Sequence, residues 1–87
     1  MKLVKKGEGT KYEADKHFGV WGIQKLLAGQ DTQRITVNLS VFLPEGGAAM
    51  SSSLTEMFYY VLGGTLAITG KSEEYVLQKD DAIYIAP

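Results

Sequence analysis

The sequence predicts an all-β domain, built as an antiparallel sandwich or barrel. Apolar and polar residues alternate over residues 35–40, which is the period-two pattern of a strand with one buried face. Ten glycines and two prolines punctuate this and similar short segments. Several short strands separated by turn signals at this spacing are typical of sandwiches and barrels.

The N-terminal half holds a segment whose secondary structure is ambiguous. Residues 18–27 place Val20, Trp21 and Ile23 around two glycines, which favours a glycine-interrupted strand. The alternative is a helix over residues 22–28, because four good helix formers follow Ile23 in succession. We expect the strand.

The C-terminal half reads as a series of short strands and tight turns. Residues 56–62 are rich in aromatic and β-branched side chains and run into Gly63-Gly64, a two-residue hairpin signal. The predicted elements that follow are a returning strand at 65–69, a turn at 70–73, a strand at 74–78, a turn at 79–81 and a strand at 82–85.

Composition limits the function classes. The 87 residues are 45% hydrophobic with a formal net charge of −1, so one small folded domain is expected, without a charge bias toward nucleic acid or an anionic membrane. The chain has no cysteine, which excludes disulfides, thiolate nucleophiles and zinc–cysteine sites. It contains no apolar run of roughly 20 residues and no N-terminal signal pattern. We therefore expect a soluble cytoplasmic domain.

Two motifs in the run 44–87 carry a family resemblance. Tyr-Val-Leu-Gly-Gly-Thr-Leu at 60–66 and Asp-Ala-Ile-Tyr-Ile-Ala-Pro at 81–87 follow each other at the distance seen in the two cupin motifs. The run resembles a cupin, the small double-stranded β-helix family with a jelly-roll barrel, although Asp80 replaces the glycine usual before the motif's aspartate. The resemblance implies one cupin-like domain over 1–87, with lead-in strands at 1–34 and barrel hairpins at 35–87.

The metal ligands of the family are missing. Cupin metal sites use two histidines and a glutamate of the first motif; counting back from Glu56 puts Met50 and Ser52 in the histidine positions. Counting from the tyrosine strand instead moves the glutamate position to Met57 and the histidine positions to Ser51 and Ser53, and the sequence leaves this register open. Neither register supplies an imidazole, and hydroxyl and thioether groups are poor ligands for divalent metals. We expect no metal and no cofactor.

The resemblance also implies an incomplete barrel. About seven strands are predicted, and the closing strands and last histidine of a cupin would lie after Pro87. The chain is then either a truncated product of a longer gene or a short variant completed by another chain. Because an open barrel leaves unpaired strand edges, we expect a homodimer formed by strand pairing between subunits.

Glu56 is the best candidate for a functional group. Alternation places Phe58 and Tyr60 on its side of the strand, and a carboxylate inside a barrel would have a raised pKa suited to acid–base work. A solvated position at the barrel rim is the competing interpretation. Two functions follow: a metal-independent module binding a small organic ligand at Met50, Ser52, Glu56, Phe58 and Tyr60, or an isomerase, lyase or small-substrate hydrolase with Glu56 as general acid or base. The sequence favours the first and leaves open whether the chain is an enzyme.

Other polar residues are predicted to be structural. His17, the single histidine, stands in a turn entering a strand and has no second imidazole to join it. Asp80 and Asp81 are predicted to form a turn, because an aspartate there accepts hydrogen bonds from nearby backbone amides. Four tyrosines could hydrogen-bond a ligand, but the favoured prediction is that they line a sheet with their hydroxyls in water: Tyr59, Tyr60, Tyr75 and Tyr84.

Overall fold

The computed structural model describes residues 1–13 and 15–87, and all regular elements in these residues are β-strands. The strands are β1 (Thr10–Tyr12), β2 (His17–Leu26), β3 (Val37–Ala48), β4 (Met57–Tyr60), β5 (Leu66–Thr69), β6 (Glu74–Leu77) and β7 (Ala82–Ile85). They form three antiparallel sheets in the orders β1-β2-β3, β4-β7 and β5-β6, and none of these sheets closes into a barrel. The predicted all-β class is confirmed.

The chain divides into two compact units, Met1–Met50 and Ser51–Pro87. The first unit holds the three-stranded sheet, in which β2 runs antiparallel to both neighbours. The strand predicted around Trp21 is confirmed, because β2 continues through Leu26 and the alternative helix over 22–28 does not form. Two irregularities interrupt its pairing with β3, one of them at Gly19, whose φ of 61° favours glycine.

A row of three residues explains a glycine at the centre of β2. Tyr12, Gly22 and Ser40 lie opposite one another on β1, β2 and β3. The Tyr12 ring crosses over Gly22, and its hydroxyl lies 2.7 Å from the Ser40 Oγ. A Cβ at position 22 would stand 2.6 Å from the Tyr12 ring and 2.9 Å from the Leu39 carbonyl oxygen. Only glycine leaves room for the ring to cross.

The opposite side of this sheet is apolar and open. Cross-strand pairs put Trp21 against Val41 and Ile23 against both Leu39 and Lys11. We call this side the Trp21 face; alternation along β3 adds Val37 and Leu43 to it. Trp21 is 45% exposed and Leu39 41% exposed, so the apolar side chains that predict the strands do not form a closed core here.

The loop from β2 to β3 is held by Asp31. Its carboxylate accepts a hydrogen bond from the Leu27 amide at 2.9 Å and forms an ion pair with Lys2 at 2.8 Å. The Lys2 ammonium, followed by the Leu27 amide, lowers the pKa of Asp31 below its ordinary value. These contacts tie the N-terminal segment to the loop.

The second unit contains two nested strand pairs. β5 and β6 form a hairpin closed by a hydrogen bond from the Gly70 amide to the Glu73 carbonyl, as the turn at 70–73 predicted. β4 pairs with β7, and hydrogen bonds between Val61 and the 80–81 turn extend that pairing. The hairpin predicted at Gly63-Gly64 is therefore wrong: this turn connects two strands that belong to different pairs.

The buried hydrophobic residues of the described chain lie in this second unit. They are Leu77, 4% exposed, and Val61, 7% exposed. Met57, Ile83 and Ile85 on one side of the β4–β7 pair are half-buried. The other side of that pair is exposed and carries the candidate site.

Candidate functional site

The pairing of β4 with β7 assembles an aromatic face. Phe58 lies opposite Tyr84, and Tyr60 lies opposite Ala82. Phe58, Tyr60 and Tyr84 are each at least half-exposed, while their neighbours along both strands point to the half-buried side. Glu56 precedes β4, is exposed as the solvated interpretation expects, and lies close enough to Tyr84 to act on its pKa; with these residues it forms what we call the Glu56 face.

Glu56 and Tyr84 form the polar end of this face. Partial burial is the main cause that raises the pKa of Tyr84 above its ordinary value, and a hydrogen bond to the Glu56 carboxylate and its negative charge add to the rise. A phenol with a raised pKa stays protonated near neutral pH and donates a hydrogen bond. The pair therefore offers a ligand the acceptor oxygens of a carboxylate beside a phenol oxygen.

Tyr60 and Asp80 form a second polar pair at the other end. The Tyr60 hydroxyl donates to the Asp80 Oδ1 at 3.1 Å. Asp80 holds the left-handed backbone conformation, with a φ of 72°, in the turn before β7. Asp81 accepts a hydrogen bond from the Gln78 amide at 2.8 Å, so the turn predicted at 79–81 is confirmed, and the structure adds the side-chain contact of Asp80.

The two carboxylates are separated by the length of the strand. Glu56 and Tyr60 are four residues apart, which corresponds to about 13 Å in an extended strand. Phe58 lies between the two polar ends, and the small Ala82 lies opposite Tyr60. The face can therefore support a flat ligand on aromatic rings and bind its polar groups at either end.

The structure brings together only some of the predicted ligand-binding residues. Glu56, Phe58 and Tyr60 lie on one face, whereas Met57, the alternative glutamate position, points to the other, half-buried side. Met50 ends the first unit and Ser52 lies in the irregular segment that opens the second unit, so the five predicted ligand-binding residues fall in two units. Between Ser52 and β4, the Ser53 and Thr55 hydroxyls lie 2.9 Å apart in a local turn.

Sequence reasoning missed the partners of the predicted residues. It placed Tyr84 among the sheet-lining tyrosines and Asp80 in a turn, without joining either to the site. No local signal identifies them, because both contacts depend on the pairing of strands more than 20 residues apart. His17, predicted to be structural, has its Nδ1 2.7 Å from the Asp15 carbonyl oxygen.

Metal-ligating residues do not cluster in the described part of the chain. No group of three or more histidine, cysteine, aspartate or glutamate side chains there could hold a metal ion. Nor is any helix of the described residues long and apolar enough to cross a membrane.

The fold and the Glu56 face define an all-β protein with an aromatic, carboxylate-bearing sheet surface. The chain is 35% identical over 88 residues to a protein of Mycobacterium tuberculosis named beta-D-galactosidase; the match covers 99% of this chain and 75% of that relative. The chain belongs to the family of this mycobacterial protein. No family model and no solved structure matches it.

Proposed function

We propose that the chain is a cupin-type domain that binds a β-galactoside on the Glu56 face without a metal ion. The observation that carries the proposal is the pairing of Phe58 with Tyr84, which places exposed aromatic rings on one face whose far end holds the hydrogen bond from Tyr60 to Asp80. A pyranose has an apolar face of C–H groups, which packs on aromatic rings, and hydroxyls around its edge, which need donors and acceptors. The name of the mycobacterial relative supports galactose as the sugar.

The order of strand pairing supports the cupin-type fold. β4 and β7 enclose the β5–β6 hairpin both in sequence and in pairing. Such nesting arises when a ribbon of paired strands folds back on itself, which is how jelly rolls are built. The motif at 60–66 connects β4 to β5, and the motif at 81–87 contains β7.

Strand pairing between two copies is part of the proposal. β3 is 12 residues long, and no described strand pairs with its outer edge. Val37–Leu43 has an alternating apolar side and no proline or lysine that would discourage pairing, before Pro44 ends that run. We assign the homodimer contact to this edge. A monomeric mass in light scattering at micromolar concentration would refute it.

Hydrolysis of the galactoside is the second candidate. The relative's name and the Glu56–Tyr84 contact favour it, with Glu56 as general acid or base and Tyr60 orienting the substrate. Glycoside hydrolysis ordinarily uses two carboxyl groups about 5 to 9.5 Å apart. Asp80 lies at the opposite end of the face from Glu56, so we rank binding above hydrolysis.

The binding test compares two glutamates of the second unit. Methyl β-D-galactoside is titrated into the wild-type chain and into Glu56→Gln and Glu74→Gln by calorimetry; Glu74 is exposed and begins β6, off the Glu56 face. Loss of a hydrogen bond to a charged group costs about 1.5–3 kcal/mol, so binding weakens about 10- to 100-fold in Glu56→Gln and stays unchanged in Glu74→Gln. Equal affinities in all three proteins would refute the assigned site.

The same proteins separate binding from hydrolysis. Hydrolysis is measured as release of nitrophenol from nitrophenyl β-D-galactoside. The second candidate is established if this release is lost in Glu56→Gln but retained in Glu74→Gln and in the presence of a chelator. Binding of the galactoside without nitrophenol release leaves the first candidate alone. Activity that disappears with the chelator would contradict the metal-independent proposal.

A further inference from the structure

A cavity lies in the first unit, within the part of the chain that contains no predicted ligand residue except Met50. It is an open cavity of about 510 Å³ on the Trp21 face, lined by Lys11, Glu13, Trp21 and Ile23. It opens widely to solvent, and its lining combines apolar and polar groups, as small-molecule sites do. Trp21 supplies the apolar surface, and it is the only tryptophan of the chain.

The two charged residues of the cavity have no partners among residues 1–13 and 15–87. Neither the Lys11 ammonium nor the Glu13 carboxylate takes part in a side-chain hydrogen bond or ion pair there, and the ion pair found in this unit joins Lys2 to Asp31. Lys11 pairs across the strands with Ile23, so its side chain emerges on the same face as the indole. One donor and one acceptor thus flank an exposed aromatic ring.

We propose that this cavity is a second sugar-binding site, in which a galactopyranoside packs on Trp21 while its hydroxyls bind Lys11 and Glu13. In galactose the axial C4 hydroxyl leaves the hydrogens of C3, C4 and C5 together on one face of the ring. That patch matches the indole, and the hydroxyls at the ring edge accept from an ammonium and donate to a carboxylate. The choice of galactose rests on the proposed function; the choice of an amphipathic, uncharged ring rests on the cavity.

The charged side chains of Lys11 and Glu13 favour a sugar over a second copy of the chain as the ligand of this cavity. A dry protein interface over Lys11 and Glu13 would bury an ammonium and a carboxylate without partners, which is strongly unfavourable. Sugar hydroxyls satisfy both groups and leave them partly hydrated. The aliphatic residues Val37, Leu39 and Val41 lie toward β3, away from the charged side of the face, where strand pairing is proposed.

Trp21 makes the site directly observable, because all tryptophan emission of the chain comes from it. Methyl β-D-galactoside is titrated into the full chain and into Glu56→Gln while emission and calorimetric heat are recorded. We expect a saturable blue shift of the emission in both proteins and two sugars bound per wild-type chain. Lys11→Met and Glu13→Gln should each weaken the emission-detected binding about tenfold, while Lys71→Met, at the β5–β6 turn, should not.

Each alternative result has a defined meaning. Calorimetric binding with unchanged emission would overturn the Trp21 site and leave the proposed function standing. An emission response that disappears in Glu56→Gln would show that the two sites are not separate and would also overturn it. An emission maximum that moves with protein concentration in the absence of sugar would assign the face to a second copy instead. A response retained in Glu56→Gln supports the Trp21 site even if the Glu56 face binds nothing.

Discussion

The two units are both rich in apolar residues, but they bury these side chains to different degrees. In the first unit the strands reach 12 residues, yet Trp21 and Leu39 remain more than two-fifths exposed. In the second unit every strand has four residues, and Val61 and Leu77 are nevertheless buried. Strand length and clean alternation therefore do not predict where side chains become enclosed.

This difference matters for function. The second unit has its own small core beside the β4–β7 pair, and that pairing places Phe58 opposite Tyr84. The first unit keeps a broad open surface with a tryptophan at one side and an unpaired strand edge at the other. The second unit is thus suited to positioning polar groups, and the first to contacting a ligand or another chain.

Truncation of two leucines gives the largest expected contrast between the units. Leu77→Ala removes a side chain that is 4% exposed and should lower the free energy of unfolding by about 2–5 kcal/mol. Leu39→Ala, in a strand of the Trp21 face and 41% exposed, should cost less than about 1.5 kcal/mol. Urea unfolding followed by circular dichroism measures both. If Leu39→Ala is as costly as Leu77→Ala, the Trp21 face is covered in solution and the contrast is wrong.

A pair of glycines tests how tightly each unit is built. In Gly22→Ala the new Cβ would overlap the Tyr12 ring and the Leu39 carbonyl, so we expect a loss of about 1–3 kcal/mol. Gly63→Ala is the matched control, because nothing lies within 4 Å of its Cβ position, and its effect should stay within about 0.5 kcal/mol. Thermal unfolding of both variants gives the comparison. A neutral Gly22→Ala would mean that the Tyr12 ring does not cross the sheet at this point.

Much of the fold was predictable because strands leave local signals. Alternation over 35–40 predicted only the beginning of β3, which starts at Val37 and continues to Ala48. The turns at 70–73 and 79–81 were identified from glycine, serine and aspartate. The error at Gly63-Gly64 has a physical cause: the dipeptide permits a tight turn but does not decide whether the flanking strands pair. Pairing depends on which partner covers the apolar side of each strand, and for β4 that partner is β7.

Only the residues on β4 were predictable as part of the candidate site. Alternation put Phe58 and Tyr60 together, and the structure has them on one face with Glu56. Glu56 acts on Tyr84, and Tyr60 donates to Asp80, across 20 or more sequence positions. Local sequence patterns do not predict interactions at that separation. The cavity at Trp21 was likewise hidden, because Lys11 and Glu13 meet the indole only when β1 pairs with β2.

Titration of Tyr84 gives the smallest and most specific test of the second unit. Ultraviolet absorbance of the wild type minus that of Tyr84→Phe isolates this phenol, and it should ionise above the ordinary value of 10.0. Glu56→Gln removes the negative charge but not the partial burial, so the pKa of Tyr84 should fall only part of the way back; Glu74→Gln should not change it. Because the unfolded chain loses this proton first, folding stability should decline as the pH rises above 10, and less so in Tyr84→Phe. A pKa of Tyr84 that is the same in Glu56→Gln as in the wild type would show that Glu56 does not act on this phenol in solution, and Glu56 would then no longer belong to the proposed face.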